Sequence, residues 1–166
     1  MKKITLLIIA LSFALSASSQ TIVDTAVSNK NFSTLVTALK AADLVGALSG
    51  EGPFTVFAPN NDAFAKIDSK TLSSLLEPAN VKALSNILTY HVVSGKLLAA
   101  DVANALKAGE GKAKLKSLNG QELTAISKYE KIYLIDAKGG MSEIIATDVI
   151  GTNGVIHVVD TVVMPE

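Results

Sequence analysis

The spacing of apolar residues changes near Gly95, and this change limits the folds open to the chain. Between positions 34 and 48 apolar residues recur every three or four positions, which predicts a helix with one buried face whose start is capped by Ser33. Further helices are predicted at 71–76, from Pro78 to about His91, and at 100–106. Beyond them, positions 112–116 alternate between lysine and apolar residues, as in a half-buried strand.

Turn residues divide the second half of the chain into strands. Asn119-Gly120 separates the alternating segment from 122–127, and this pair is a strong hairpin signal. Other strands are predicted at 131–136, 144–150 and 155–163, with glycine-containing turns between them. A short early strand at 54–58 lies between two prolines. Helices first and strands second predict a single α+β domain with antiparallel sheets.

The first nineteen residues are typical of a secretory signal peptide. Lys2-Lys3 precede an apolar run from 4 to 15, which is followed by small residues. We expect cleavage after Ser19, with Ala17 as the alternative, and a single domain spanning 20–166. The apolar run is too short to cross a bilayer, which needs roughly 20 helical residues, so no membrane insertion is expected. The protein is predicted to be exported, either to the periplasm or out of the cell.

Cysteine and charge content restrict the possible partners. The chain has no cysteine, so stability must come from an apolar core rather than from disulfides. Its basic residues are all lysine, and removal of Lys2-Lys3 leaves 13 lysines against 15 carboxylates, a net charge of −2. This balance argues against nucleic acid as a partner. The one basic cluster, Lys107 with the lysines at 112, 114 and 116, is interpreted as the solvated face of an edge strand rather than as a polyanion site.

Three stretches together resemble the fasciclin family, in order and in spacing, from Thr21 to Glu166. The first comprises Phe54, Thr55, Val56, Phe57, Ala58 and Pro59 and continues to Phe64. The second runs from Thr89 to Gly95 and contains Tyr90 and His91. The third runs from Thr152 to Asp160, contains Asn153, Gly154 and His157, and is followed by Val163-Met164-Pro165.

This resemblance implies a wedge of two β-sheets with several helices packed around it. It also implies a protein found outside cells and linked to adhesion, with no shared catalytic mechanism. Tyr90 and His91 correspond to a proposed interaction motif of the family, and Asp148-Val149 replaces an aspartate-isoleucine pair discussed as a binding surface in animal members. These four residues are the candidate binding residues. Asn60 stands where the family more often has threonine, and its side chain can still bond the turn backbone.

The two histidines are predicted to be packing groups. His91 lies on the apolar face of its helix and His157 lies within a continuous apolar run. No cysteine and no histidine pair at helical spacing accompanies them, so neither a metal site nor a cofactor is predicted. Asn153-Gly154 is predicted to serve the backbone geometry of a turn, so substitution of Gly154 should destabilise the fold.

The sequence therefore favours a non-catalytic module that binds an extracellular or envelope protein or glycan. A single domain that links two partners needs two binding sites, so either weak homo-oligomerisation or a second partner face is predicted. The alternative is an extracytoplasmic hydrolase or lyase acting on polysaccharide or esters through carboxylates such as Asp62 or Asp148. A concave cleft with converging carboxylates would indicate the enzyme.

Overall fold

The computed structural model describes residues 19–166. The predicted signal peptide lies outside the described residues except for Ser19. Within this part of the chain there are seven α-helices and two short 3₁₀ helices, at Lys30–Phe32 and Pro78–Asn80. The α-helices are α1 (Ile22–Ser28), α2 (Ser33–Ala41), α3 (Val45–Ser49), α4 (Asn61–Ala65), α5 (Ser69–Leu75), α6 (Val81–Tyr90) and α7 (Ala99–Ala108).

Seven strands of the described chain form one continuous sheet. They are β1 (Phe54–Pro59), β2 (Val92–Ser94), β3 (Lys112–Lys116), β4 (Glu122–Lys128), β5 (Lys131–Ile135), β6 (Met141–Gly151) and β7 (Gly154–Val159). Their order across the sheet is β2-β1-β7-β6-β5-β4-β3. Neighbours are antiparallel except β1 and β7, which are parallel. The predicted α+β class is confirmed.

Strand β6 bends the sheet into two parts. Its beginning pairs with β5, where Glu143 faces Tyr133, and its remainder pairs with β7, where Val149 faces Ile156. Two irregularities, between 144 and 146 and between 146 and 149, interrupt the β6–β7 register. Bulges increase the local bend and twist of a strand, so the sheet curls until its outer strands β2 and β3 approach each other. They meet at one antiparallel bridge, Val93↔Ser117.

Two apolar clusters support this architecture. The first lies between the helices and one face of the sheet and includes Ile22, Phe32, Leu39, Phe64, Leu88 and Ile156. The second lies inside the curled sheet and includes Phe57, Tyr90, Leu123, Leu134 and Val159. Together they form the core on which a chain without disulfides depends.

The helix predicted from 34 to 48 is in fact two helices. The chain leaves α2 at Asp43, whose φ of 56° is left-handed. The Leu44 amide donates to the Leu39 carbonyl and the Asp43 amide donates to the Lys40 carbonyl, which is a Schellman ending. The predicted cap at Ser33 is also wrong: Ser33 is the first residue of α2, and its neighbour Thr34 donates its amide to Asn61 Oδ1 at 3.1 Å.

The predicted β3–β4 hairpin is present. Gly120 has a φ of 88° in the connecting turn, Ala113 and Leu115 are buried, and the lysines of β3 are exposed. The final strand is shorter than predicted, since β7 ends at Val159 rather than at 163. The next residue, Asp160, still donates its amide to the Glu143 carbonyl at 3.1 Å. The Glu143 amide, however, bonds to the Asp160 side chain, through Oδ1 at 2.8 Å, and the ladder goes no further.

Candidate functional site

Tyr90 ends α6 and is completely buried. Its hydroxyl donates to the Glu122 carbonyl at 3.0 Å and accepts from the Ala137 amide at 3.1 Å. Burial raises the pKa of the phenol above its ordinary value, because the charged form would lose its hydration. Tyr90 therefore joins the end of α6 to the start of β4 and to the turn between β5 and β6.

His91 follows Tyr90 and is 2% exposed. Nδ1 lies 2.8 Å from the Ile87 carbonyl and Nε2 lies 3.1 Å from the Val163 amide. A carbonyl requires a donor and an amide requires an acceptor, so the neutral tautomer protonated on Nδ1 fits this site. Burial lowers the pKa of this imidazole to about 4.

His157 lies in β7 and is 1% exposed. Its Nε2 lies 2.7 Å from the Leu97 carbonyl, and its Nδ1 accepts a long hydrogen bond of 3.4 Å from the Asp148 amide. These partners fit the tautomer protonated on Nε2, the reverse of His91. The ring stacks on Phe57 with 5.6 Å between centroids and 27° between planes. Both nitrogens of each imidazole are thus occupied by backbone groups.

Asp148 and Val149 lie at the second irregularity of β6. Asp148 is exposed, has a left-handed φ of 59°, and accepts a hydrogen bond from the Ala99 amide at the start of α7 at 2.8 Å. Val149 is half-buried against the first apolar cluster. Of the four candidate binding residues, Asp148 presents a polar group to solvent, whereas Tyr90 and His91 lie in the interior.

Thr55, in the first fasciclin-like stretch, is fully buried in β1. Its hydroxyl donates to the Gly95 carbonyl at 2.6 Å and accepts from the Leu97 amide at 2.8 Å. The rest of that stretch places β1 between β2 and β7. Asn60, just beyond it, accepts from the Ala63 amide at 2.8 Å and caps α4, so the departure from threonine leaves the cap intact.

Asn153 and Gly154 act differently from the predicted turn-geometry role. Neither has a positive φ. Instead, the Asn153 side chain accepts from the Ile22 amide at 3.0 Å and donates to the Leu48 and Gly50 carbonyls, each at 2.8 Å. A Cβ on Gly154 would lie 2.1 Å from the Phe54 carbonyl oxygen of β1. Asn153 is thus required for its side-chain hydrogen bonds, and Gly154 for the close approach of two backbones. Neither requirement can be seen in the spacing of residues along the sequence.

Asp160 fixes the chain after β7. Partial burial alone would raise its pKa, but the Glu143 amide, Lys66 and Thr161 together outweigh this effect and hold the pKa below its ordinary value. The Lys66 ammonium lies 3.1 Å from Oδ2. Asp160 is therefore engaged in structural bonds rather than aimed at either imidazole.

Three open depressions on the described surface contain few acids. One of about 560 Å³ includes Glu51 as its one carboxylate, a second of about 410 Å³ includes Glu130, and a third of about 500 Å³ has none. Across residues 19–166 no three His, Cys, Asp or Glu side chains come together in a way that could hold a metal. None of the helices described is long and apolar enough to span a membrane.

Sequence comparison identifies the family. A sequence profile described as the Fasciclin domain matches residues 30–165. The chain belongs to the fasciclin domain family. This fasciclin protein is 51% identical over 154 residues to protein sll1483 of Synechocystis, an alignment that covers 93% of this chain and 78% of that one.

Other relatives of this fasciclin protein come from a mammal and from a mycobacterium. It is 35% identical to the pig transforming growth factor-beta-induced protein ig-h3, over 87% of this chain and 19% of that one. It is 32% identical to the cell surface glycolipoprotein MPB83 of Mycobacterium bovis, over 82% and 57% of the respective chains.

Among solved structures, a fasciclin domain pair from the insect cell adhesion molecule fasciclin I matches with a TM-score of 0.75. The match covers 86% of this chain and 50% of that one, at 18% identity. The fasciclin fold of the chain is therefore established by both sequence and structure.

Proposed function

We propose that this fasciclin protein is a non-catalytic interaction module that acts outside the cytoplasm and binds a protein or glycan through its outer surface. The main observation behind the proposal is that polar side chains of the fasciclin-like stretches are buried and bonded within the domain. Tyr90, His91 and His157 are each buried: the Tyr90 hydroxyl and both ring nitrogens of each histidine lie within hydrogen-bond distance of backbone groups. Groups so occupied hold the fold, which leaves binding to exposed side chains and loops.

Export is part of the same proposal. The first nineteen residues have the pattern of a signal peptide, and one relative is named as a cell surface protein. The structural match is to a domain pair from a cell adhesion molecule. These similarities favour a location at or beyond the cell envelope.

The surface around Asp148 is the first candidate contact region. Asp148 is held in place by two hydrogen bonds. Its carboxylate accepts from the Ala99 amide, and its backbone amide donates to His157 Nδ1. Half-buried Val149 anchors the same bulge to the core. Tyr90 and His91 would then act by maintaining the interior of the domain rather than by touching a partner.

The test is binding of the purified, fluorescently labelled protein to the surface of cells of its own organism. We expect saturable retention that unlabelled protein displaces and that unfolded protein does not reproduce. Asp148→Asn should weaken retention by about threefold to tenfold if this carboxylate contacts the partner. Absence of saturable retention, combined with turnover of polysaccharide or esters that Asp148→Asn abolishes, would overturn the proposal in favour of an enzyme.

A protein that links two partners needs two binding sites. A domain with one binding face cannot crosslink, so we also propose a second face or weak self-association. Light scattering over a range of protein concentrations measures this property. A strict monomer that binds one partner at one site would exclude bridging while leaving simple binding intact.

A further inference from the structure

The outer edge of β3 offers backbone groups that β4 does not use. The Gly111 carbonyl accepts from the Ser127 amide, and the Ser117 amide donates to the Gln121 carbonyl. In an antiparallel ladder both polar groups of a residue point to the same side, so the odd-numbered residues of β3 face β4 and Lys114 and Lys116 face away. The next even-numbered residue follows the same pattern: the Leu118 amide points away from β4 and donates to the Val92 carbonyl of β2 at 2.8 Å.

The strand that would continue this pairing ends early. Among the described residues, β3 meets β2 at a single bridge, Val93↔Ser117, and β2 ends at Ser94. The following Gly95 has a φ of 100°, which turns the chain away. The N–H and C=O of Lys114 and the N–H of Lys116 therefore face a gap rather than a neighbouring strand.

This gap is an open groove of about 500 Å³. Apolar side chains line it at different depths: Val93 and Leu115 are buried, Leu97 is half-buried, and Leu118 is 42% exposed. Backbone donors and acceptors on one wall, with apolar side chains beside them, are the features by which an extended peptide adds a strand to a sheet.

The positive charge around the groove favours one class of ligand over others. Lys114 and Lys116 line the groove, and Glu122 pairs with Lys114 at 2.8 Å. Two more exposed lysines lie close in the chain: Lys96 directly precedes the lining residue Leu97, and Lys112 lies two positions before Lys114. A second copy of the same edge would bring lysines against lysines, which is the arrangement that prevents edge-to-edge pairing. An acidic extended segment instead gains both the charge attraction and the backbone hydrogen bonds. A sulfated glycan would meet the charges, and its oxygens can accept from single amides, but it lacks the regular alternation of donors and acceptors that matches a strand edge.

We propose that the groove between β2 and β3, with the outward-facing backbone of Lys114 and Lys116, binds an extended acidic peptide segment of a partner protein by strand addition. This inference rests on the proposed interaction function and adds a second contact surface, separate from that around Asp148, with a stated partner chemistry. The lysines set the preference for acidic segments, and the backbone sets the extended conformation.

The first experiment uses a short, end-blocked, fluorescently labelled peptide of alternating aspartate and valine. Fluorescence anisotropy measures its binding, and amide hydrogen exchange of the protein locates the binding site. We expect binding that weakens with salt and slows exchange at Lys114 and Lys116. The same peptide with N-methylated valines keeps the charge but loses backbone donors, so it should bind at least about fivefold more weakly.

Paired variants separate charge from backbone bonding. Lys116→Glu should weaken peptide binding by roughly tenfold at low salt, whereas Lys70→Glu, the same change on α5, should leave it unaltered. Lys116→Gln removes the charge and keeps the amide, while Lys116→Pro removes both. Because position 116 does not bond to β4, proline is compatible with this edge, and the proline variant should bind about fivefold more weakly than the glutamine variant.

Three results would overturn the groove assignment: no peptide binding, peptide binding without protection of the Lys114 and Lys116 amides, or binding of a sulfated oligosaccharide in place of the peptide. If the protein is still retained on cells while any of these is observed, the proposed interaction function stands and the groove assignment fails. If retention on cells is also absent, both fail together.

Discussion

At the scale of single residues, Gly154 is fixed by the distance between two backbones. The parallel pairing of β1 with β7 brings the Phe54 carbonyl to the position that a side chain on residue 154 would occupy. Close backbone approach is one of the few requirements that no residue except glycine meets.

Gly154→Ala is therefore expected to lower the free energy of unfolding by about 2–4 kcal/mol, because strand β1 must move to admit the methyl group. Urea denaturation followed by circular dichroism measures the loss. Gly46→Ala is the matched control: no atom lies within 4 Å of the added methyl in α3, so a gain of about 0.5–1 kcal/mol is expected. Equal effects of the two substitutions would contradict this account.

His91 gives the protein an acid-sensitive contact. The folded pKa of about 4 lies below the ordinary value near 6.5 because the ring is buried. A depressed pKa means that the unfolded chain takes up the proton first, so stability is complete above pH 6.5 and is lost as the pH falls from 6.5 toward 4. The loss amounts to roughly 3 kcal/mol at the acid end. Protonated Nε2 would also oppose the Val163 amide, one donor against another.

The measurement is the free energy of unfolding at a series of pH values for the native chain and for His91→Gln. Glutamine offers one donor and one acceptor without titrating, so its difference from the native chain should shrink steadily as the pH falls below 6.5. Carboxylates that do not interact with residue 91 contribute equally to both pH series, so they drop out of the difference. A difference that does not vary with pH would show that His91 is not the sensitive group.

At the scale of elements, the break between α2 and α3 depends on Asp43. Its left-handed φ of 56° completes the Schellman ending of α2 and redirects the chain. Asp tolerates this conformation better than most residues, and glycine tolerates it without a steric penalty.

Asp43→Gly is expected to raise the free energy of unfolding by about 0.5–1 kcal/mol, because it relieves the left-handed strain. Asp43→Val should lower it, since a β-branched side chain is strained there. The midpoints of thermal and denaturant unfolding compare the two variants. Stabilisation by valine would mean that the two helices can join through this position.

At the scale of the whole molecule, Asn153 connects the helical layer to the sheet. From the β6–β7 turn its side chain reaches the first amide of α1, the carbonyl of Leu48 in α3 and the carbonyl of Gly50 just after it. These bonds span more than a hundred positions in sequence. One amide side chain therefore organises three separate segments.

Asn153→Ala is expected to lower the free energy of unfolding by about 3 kcal/mol, or about 1 kcal/mol for each lost hydrogen bond. Hydrogen exchange should show the largest loss of protection in α1, whose Ile22 amide loses its acceptor. Exposed Asn31→Ala serves as the control and should change stability little. Uniform loss of protection across the sheet would indicate a different role for Asn153.

The fold class, most of the secondary structure and the family could be predicted from the order of the amino acids. Apolar periodicity reports on one element at a time, so the β3–β4 hairpin with its exposed lysines, the strand β1 and the helix ending near His91 could be predicted. The same local information predicted that both histidines lie among apolar neighbours.

The contacts between distant residues could not be predicted in this way, because they depend on how the elements pack together. The partners of His157, Asn153 and Asp160 come from other elements, and so does the strand that excludes a side chain at 154. The groove between β2 and β3 exists because the bends of β6 bring the two outer strands together, an outcome of sheet curvature that no local pattern records. Apolar periodicity shows which face of a helix or strand is buried, whereas long-range packing determines which other element covers that face.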